Sequence, residues 1–254
     1  MSEIDAGTPT DVALATEPLS QGQRVIYTFT APSRTFTDII RDRSWWLPFL
    51  LTLIVSYVFI FAMVQKVGWE KLTASGMKQN AAQAERVNNM PADQKAVAMR
   101  QAMMFTKGIT LGYPVVALLM VAIISLGLWG TINFIFGGKA TYGEIFAVWM
   151  YASLPLMVKG LLGAASLFAG LDSEAFNIQN PVGTNIGYYL PPDSAKWLLS
   201  LGSWFDVITI WHLVLGSIGI AIVARVKRSS GYMAVFGWWL LIMVISVGIA
   251  AATS

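Results

Sequence analysis

The sequence predicts an all-α membrane protein with five transmembrane helices, an N-terminal interfacial amphipathic helix and a helical first external loop. Of the 254 residues, 56% are hydrophobic and only 12% are charged, and the mean hydropathy is +0.60. Soluble domains are about 25% charged, so this chain has too little polar surface to remain a globule in water. Five apolar runs also approach the length of about 20 residues that crosses a bilayer.

The residue inventory excludes several kinds of site. The chain has no cysteine and a single histidine, His212. Disulfides, thiol catalysis, cysteine-based metal sites and metal sites of several imidazoles are therefore excluded. Because no acyl-transfer triad can be assembled either, we expect no metal and no cofactor, and the sequence predicts that the protein is not an enzyme.

The chain divides into a short tail and one membrane domain. Residues 1–23 contain four acidic residues, no Lys or Arg and no apolar core. This composition is the reverse of a signal peptide and predicts a disordered acidic tail. Residues 24–254 are predicted to form the membrane domain, whose spans are approximately residues 45–64, 114–136, 145–169, 207–224 and 233–252.

The positions of the basic residues predict a cytoplasmic N-terminus and an exoplasmic C-terminus. Four arginines precede the first span, Lys139 lies between the second and third, and Arg225, Lys227 and Arg228 lie between the fourth and fifth. Residues 65–109 argue the other way, because this loop would be external yet carries seven basic residues. The tighter clusters beside span ends decide the orientation, since charge in short connections weighs most.

The stretch PSRTFTDIIRDRSWWLPFLL, residues 32–51, changes from charged to apolar halfway along. Thr35 to Asp38 fits a capping box, and Phe36 shares one helix face with Ile39 and Ile40. The sequence therefore predicts an amphipathic helix lying in the cytoplasmic interface of the membrane. Its predicted interfacial anchors are Arg41, Arg43, Trp45 and Trp46.

The two external loops, residues 65–109 and 170–203, are predicted to be structured. In the first, Pro91 suits a helix start, and apolar residues recur at helical spacing as far as Gly108. In the second, residues 175–192 are rich in turn formers and aromatics, which predicts a compact cap followed by a short helix through Trp197.

A candidate intramembrane polar site consists of Lys159, Asp206 and His212, because ionisable groups within spans are costly. By helix rise, Lys159 and His212 lie roughly 16 and 12 Å from the outer helix ends, and Asp206 only about 3 Å. Lys159 and His212 are then at similar levels, whereas a Lys159–Asp206 pair needs the lysine to snorkel, since the two side chains lean apart. The alternatives are a polar cavity or ion path, and a lysine satisfied by backbone carbonyls near Pro155.

Small residues four apart predict close helix contacts. The contacts would form either within the chain or with a partner, and the candidate positions are Gly160, Ala164, Ser217, Ala221, Gly248 and Ala252.

Several segments in order resemble the bacterial branch of the Yip-domain family: RVIYTFTAPSRTFTDIIRDRSWWLP, MPADQKA, NIGYYL and WFDVITIWHLVLGSIGIAIVARVK. The resemblance implies five spans, a cytoplasmic N-terminus and, for the bacterial branch, the inner membrane. Eukaryotic members are associated with Rab GTPases, but their Asp-Leu-Tyr-Gly-Pro motif is replaced here by the segment from Asp42 to Pro48. Rab binding is therefore not expected, and no catalytic residues transfer.

Two functional hypotheses follow. The first is a non-enzymatic membrane protein acting by lateral association, as accessory or scaffold component of a membrane assembly or as bilayer organiser. Its partners would be membrane lipids and either other membrane-protein subunits or further copies of itself, and not nucleic acid. The second is a small channel or transporter that uses the polar residues of spans three and four; the odd number of spans and the lack of an evident repeat count against it.

Overall fold

The computed structural model describes residues 17–78, 81–170, 180–191 and 193–252. Within these ranges the chain is helical, with short turns and one isolated bridge between Asn185 and Asp206. A π-helical turn, Thr131–Ile135, and a 3₁₀ turn, Ile186–Tyr189, accompany the α-helices. The α-helices are α1 Gln21–Thr30, α2 Pro32–Ile39, α3 Trp46–Lys66, α4 Trp69–Lys78, α5 Ala81–Asn88, α6 Ala92–Leu111, α7 Tyr113–Gly130, α8 Tyr142–Ala152, α9 Leu154–Phe168, α10 Lys196–Trp204, α11 Val207–Val223 and α12 Arg228–Ala252.

Four helical segments of the described residues are long and apolar enough to cross a membrane: Trp46–Lys66, Tyr113–Ile135, Tyr142–Phe168 and Arg228–Ala252. The last begins five residues before the predicted run 233–252. The helix α11, predicted as a full span, is apolar but has 17 residues. At 1.5 Å per residue it is about 25 Å long, shorter than the hydrocarbon core of about 30 Å.

The short helix α11 lies at the centre of the bundle. It packs against α2, α8, α9 and α12, and ten of its 17 residues are buried. At Gly219, an added Cβ atom would lie 2.5 Å from Val148 and 2.9 Å from Phe36, so glycine is what allows α2 and α8 to approach this closely. Because protein rather than lipid covers α11, its length need not match the bilayer.

The predicted third span, residues 145–169, is two helices joined at Ser153. Pro155 has no N–H to continue the hydrogen bonding of α8, and the N–H of Leu156 bonds to the carbonyl of Ser153 instead of Ala152. The first half, α8, is buried from Glu144 to Ala152. The second half, α9, packs on α3, where Gly163 lies against the ring of Phe59.

The N-terminal helices α1 and α2 form a hairpin that belongs to the bundle. The capping box predicted from Thr35 to Asp38 is wrong, because α2 already begins at Pro32 and has no side-chain cap. Phe36 and Ile39 are fully buried in the main core, so the apolar face of α2 packs on α11 instead of lying in lipid. Residues 21–23, assigned to the tail from sequence, form the start of α1; residues 1–16 lie outside the described residues.

The segments between spans carry their own structure. The helices α4, α5 and α6 connect α3 to α7, and α6 begins directly after Pro91. The turn Ile186–Tyr189 packs against α10, which in turn packs on α12. The rest of the predicted cap, residues 175–179 and 192, lies outside the described residues.

Candidate functional site

The Asp206 carboxylate binds Lys159. The Nζ atom of Lys159, on α9, lies 3.0 Å from Oδ2 of Asp206, which precedes α11. Asp206 is 1% exposed and Lys159 24% exposed, so the carboxylate is enclosed while the lysine stem remains partly accessible. Sequence reasoning placed these residues in one candidate site but expected the two side chains to lean apart. They meet because α9 and α11 pack directly against each other.

Two further donors complete the environment of Asp206. The Thr184 hydroxyl donates to Oδ2 at 2.6 Å, and the N–H of Thr209 donates to Oδ1 at 2.8 Å. The second bond makes Asp206 the N-cap of α11, where a carboxylate also meets the positive end of the helix dipole. The N–H of Val207 donates to the carbonyl of Thr184 at 3.0 Å. The segment before the 3₁₀ turn is thereby joined to the start of α11.

His212 lies in a separate environment. Its Nδ1 atom is 2.9 Å from the carbonyl oxygen of Ala152, and because a carbonyl only accepts, Nδ1 carries the proton. The ring meets Trp149 edge-on, with 4.5 Å between the ring centroids. Ala152 is the last residue of α8, so His212 satisfies a carbonyl that the helix break releases. Within the described ranges, no three His, Asp or Glu side chains lie together as metal ligands.

A second buried ion pair lies in the α1–α2 hairpin. Arg24 is 1% exposed, and its Nη2 atom lies 2.7 Å from Oδ2 of Asp38. The same arginine donates to the Asp42 carbonyl at 2.8 Å, and its own carbonyl accepts from the hydroxyls of Thr28 and Thr35. Sequence reasoning counted Arg24 only as a charge before the first span. The sequence did carry a signal of this ion pair. Arg24 and Thr28 lie four residues apart before Pro32, and Thr35 and Asp38 lie three residues apart after it, as expected for facing sides of two helices joined by a turn.

A comparison with known protein families matches nearly all of the residues described above. A model of the Yip1 domain matches residues 26–249. The chain belongs to the Yip1-domain family. No curated protein and no solved structure matches the chain. The matched range includes Asp38, Lys159, Asp206 and His212, whereas Arg24 lies two residues before it, so one partner of the hairpin ion pair falls outside the matched Yip1 domain.

The predicted interfacial anchors make contacts within this Yip1-domain protein. Arg41 lies 3.4 Å from Asp38, and Arg43 lies 3.7 Å from Glu144 with 53% of its side chain exposed. Trp45 packs edge-on against a phenylalanine of α8, with ring centroids 5.1 Å apart. Trp46 is 53% exposed. The groove beside Arg43 is about 310 Å³ and is lined by Arg43, Trp45, Tyr142, Gly143 and Phe146.

The predicted helix-packing residues fall into three groups. At Gly160, an added Cβ would meet Val55 of α3 at 3.1 Å, and Ala164 is buried in the same α3–α9 cluster. Gly231 of α12 approaches the second pair, Ser217 and Ala221, on α11. The third pair lies on open surface, since nothing stands within 4 Å of a Cβ at Gly248 and Ala252 is exposed.

Proposed function

We propose that this Yip1-domain protein is a non-enzymatic integral membrane protein that acts by lateral association. It would serve as accessory or scaffold component of a larger membrane assembly, or as bilayer organiser. The supporting observation is that these buried ionisable groups are each bound by groups of the same chain, which gives them a structural role. Asp206 accepts from three donors, Arg24 binds Asp38, and Glu144 accepts from the N–H and hydroxyl of Thr141.

The surface of the spans supports membrane lipids and other membrane-protein subunits as partners. Large apolar side chains of α7 and α12 are exposed along these helices, among them Val115, Ile123, Val244 and Ile249. Such side chains suit contact with acyl chains or with apolar helices of another chain. Binding of Rab GTPases forms no part of this proposal.

The proposed location is the bacterial cytoplasmic membrane, with five spans, a cytoplasmic N-terminus and an exoplasmic C-terminus. The fold supports this orientation because it gathers basic segments at one end of the bundle. The N–H of Lys139 bonds to the carbonyl of Ala224, beside Arg225, and Arg228 bonds to Ser33 of the hairpin. Cytoplasmic ends of spans are enriched in such residues.

Gentle extraction from the native membrane tests the proposal. The size of the extracted particle and the identity of co-purifying proteins would be measured in a mild detergent. We expect an oligomer or a stoichiometric membrane-protein companion. A particle of one chain with no companion would contradict lateral association.

A small channel or transporter is the second candidate, favoured by the helix break at Ser153 and by the buried Lys159–Asp206 pair. Broken helices and intramembrane charge occur in transporters. Replacing Lys159 by Leu separates the two functions in an ion-flux assay with protein-containing vesicles. Flux that is present in the wild type and lost in a folded K159L protein would support transport. Absence of flux in both proteins would argue against transport and would assign Lys159 only the structural role of joining α9 to α11.

A further inference from the structure

The loop between the π-helical turn and α8 is held in one conformation by its own hydrogen bonds. The side chain of Asn133 accepts from the N–H of Ala140 at 3.0 Å and donates to its carbonyl at 2.8 Å. The N–H of Gly138 donates to the carbonyl of Ile132 at 2.9 Å. Lys139 lies between these fixed residues and is exposed, so its ammonium is carried by a rigid backbone.

The same loop is bonded to the end of α11, beside a second cation. The N–H of Lys139 donates to the carbonyl of Ala224 at 3.1 Å. Arg225 follows Ala224 directly, and Lys227 and Arg228 come shortly after it; all three basic residues are exposed. Two distant segments of the chain therefore bring the backbones of Lys139 and Arg225 together.

Arg225 adopts a backbone conformation that glycine normally supplies. Its φ is 57°. Its N–H bonds to the carbonyl of Ile222, and the N–H of Val226 bonds to the carbonyl of Ala221, both at 3.1 Å. This is the pattern with which many helices end at a left-handed glycine, and a side chain there costs free energy that glycine does not. Strained residues of this kind cluster at ligand sites, which points to a role for the Arg225 guanidinium.

Lys139 and Arg225 have no acidic partner in the described part of the chain. The ion pairs among its residues involve Arg24, Arg41, Arg43 and Lys159. Glu144, the next acidic residue after Lys139, already accepts from the N–H and hydroxyl of Thr141. The two cations are therefore available to an anion from outside the chain.

Exposed apolar side chains lie directly before the loop. Phe134 is 78% exposed and Ile135 is 73% exposed, and both belong to the π-helical turn that ends the segment Tyr113–Ile135. An anion with hydrocarbon chains would cover these side chains while its charged group met the cations, whereas a soluble anion would leave them in water. The combination of basic and apolar residues is that of surfaces which bind anionic lipids.

We propose that Lys139 and Arg225, with Lys227 and Arg228 beside them, bind the phosphate group of an anionic phospholipid. This inference rests on the proposed role of membrane lipids as partners and names the chemistry of the lipid and its site. Lysine and arginine donate charge-assisted hydrogen bonds to phosphate oxygens. A zwitterionic headgroup is disfavoured because it brings its own ammonium next to the cations.

Thermal unfolding of the purified full chain in a nonionic detergent measures this binding. We expect the melting temperature to rise with the fraction of phosphatidylglycerol in the micelles, and not with the same fraction of phosphatidylcholine. Lys139→Gln should raise the fraction that gives half of this rise about fivefold, which is the share of one basic residue near an anionic surface.

Arg100→Gln is the matched control for charge. Arg100 is exposed on α6, before the opposite end of the segment Tyr113–Ile135, and its loss should leave the lipid response unchanged. Equal rises with the two lipids, or the same half-maximal fraction in K139Q and the wild type, would overturn the site.

Arg225→Gly separates lipid binding from backbone strain. Without phosphatidylglycerol, R225G should melt at a higher temperature than the wild type, because glycine adopts a φ of 57° without strain. It should nevertheless need about five times the lipid fraction for half of the rise. Arg225→Lys keeps the charge and should restore most of the response. An R225G protein that responds to phosphatidylglycerol as the wild type does would overturn the site.

Inorganic phosphate distinguishes a lipid from a soluble ligand of the same chemistry. We expect no rise in melting temperature when it replaces phosphatidylglycerol, because it has no chains to cover Phe134 and Ile135. A rise with inorganic phosphate that K139Q abolishes would assign the site to a soluble phosphate compound and overturn the lipid.

The extraction experiment distinguishes failure of this inference from failure of the proposed function. An oligomer or a companion, together with a K139Q protein that responds to lipid normally, would refute the lipid site and leave lateral association standing. A solitary chain whose lipid response is weakened by K139Q would refute lateral association and support the site.

Discussion

The ammonium of Lys159 lies 3.0 Å from the carboxylate of Asp206, although 47 residues separate them. The pair joins α9 to the first turn of α11 at a point where Thr184 also binds the carboxylate. Three parts of the chain therefore depend on one buried side chain. We therefore expect the loss of Asp206 to destabilise the protein more than the loss of Lys159.

We expect Asp206→Ala to lower the free energy of unfolding by about 2–4 kcal/mol, through loss of a helix cap and of a buried charge partner. Lys159→Met should cost less, because Asp206 keeps two donors and the lysine is 24% exposed. Thermal unfolding in mild detergent measures both. A larger loss for K159M than for D206A would contradict the assigned geometry.

The hairpin ion pair predicts that two arginines respond differently to the same change. Arg24→Met should lower the free energy of unfolding by about 3 kcal/mol, because it removes the nearer of the two arginines that bind the buried Asp38 carboxylate. Arg43→Met is the matched control, since Arg43 is 53% exposed and 3.7 Å from its acidic partner, and it should cost at most about 1 kcal/mol. Thermal unfolding again reports the difference, and similar losses would argue against a buried Arg24.

The contact of α11 with α2 and α8 predicts that a single methyl group at Gly219 is harmful. Gly219→Ala would place a carbon 2.5 Å from Val148, and such overpacking costs about 1–3 kcal/mol. Gly248→Ala, where nothing lies within 4 Å, should be neutral or stabilise its helix by about 0.5–1 kcal/mol. The two variants can be compared by melting temperature. A G219A protein as stable as G248A would refute the close packing of α11.

The hydrogen bond from His212 to Ala152 predicts the effect of removing the imidazole. His212→Phe fills a similar volume but leaves the carbonyl without its donor, which costs about 1–3 kcal/mol. Trp211→Phe, at a neighbouring position that is 39% exposed, serves as the control and should cost less. Equal melting temperatures for H212F and the wild type would show that the carbonyl has another donor.

The local parts of the fold were predictable from the sequence. The runs 45–64 and 114–136 fall within a few residues of the helical segments Trp46–Lys66 and Tyr113–Ile135, because a span is visible in any window of apolar residues. Pro114 lies in the first turn of α7, where a proline sacrifices no hydrogen bond. The helix after Pro91 was predicted from local spacing for the same kind of reason.

The candidate site was only partly predictable. Sequence reasoning singled out Lys159, Asp206 and His212 because charge in an apolar run is conspicuous. In the structure the first two form an ion pair, whereas His212 hydrogen-bonds to the carbonyl of Ala152. Arg24 was not singled out, because an arginine outside an apolar run looks like any solvated charge. Its burial depends on Asp38, which reaches it only when the hairpin closes.

The sequence by itself determined that this chain is built for a membrane and the approximate bounds of the segments Trp46–Lys66 and Tyr113–Ile135, because hydropathy and proline act over a few neighbours. Only the tertiary structure decided that α11 is the covered central helix, that α2 packs on it, and that Lys159 meets Asp206. Those outcomes depend on which helix faces meet, and that is set by steric fit between residues far apart in the chain, as at Gly219 and Phe36.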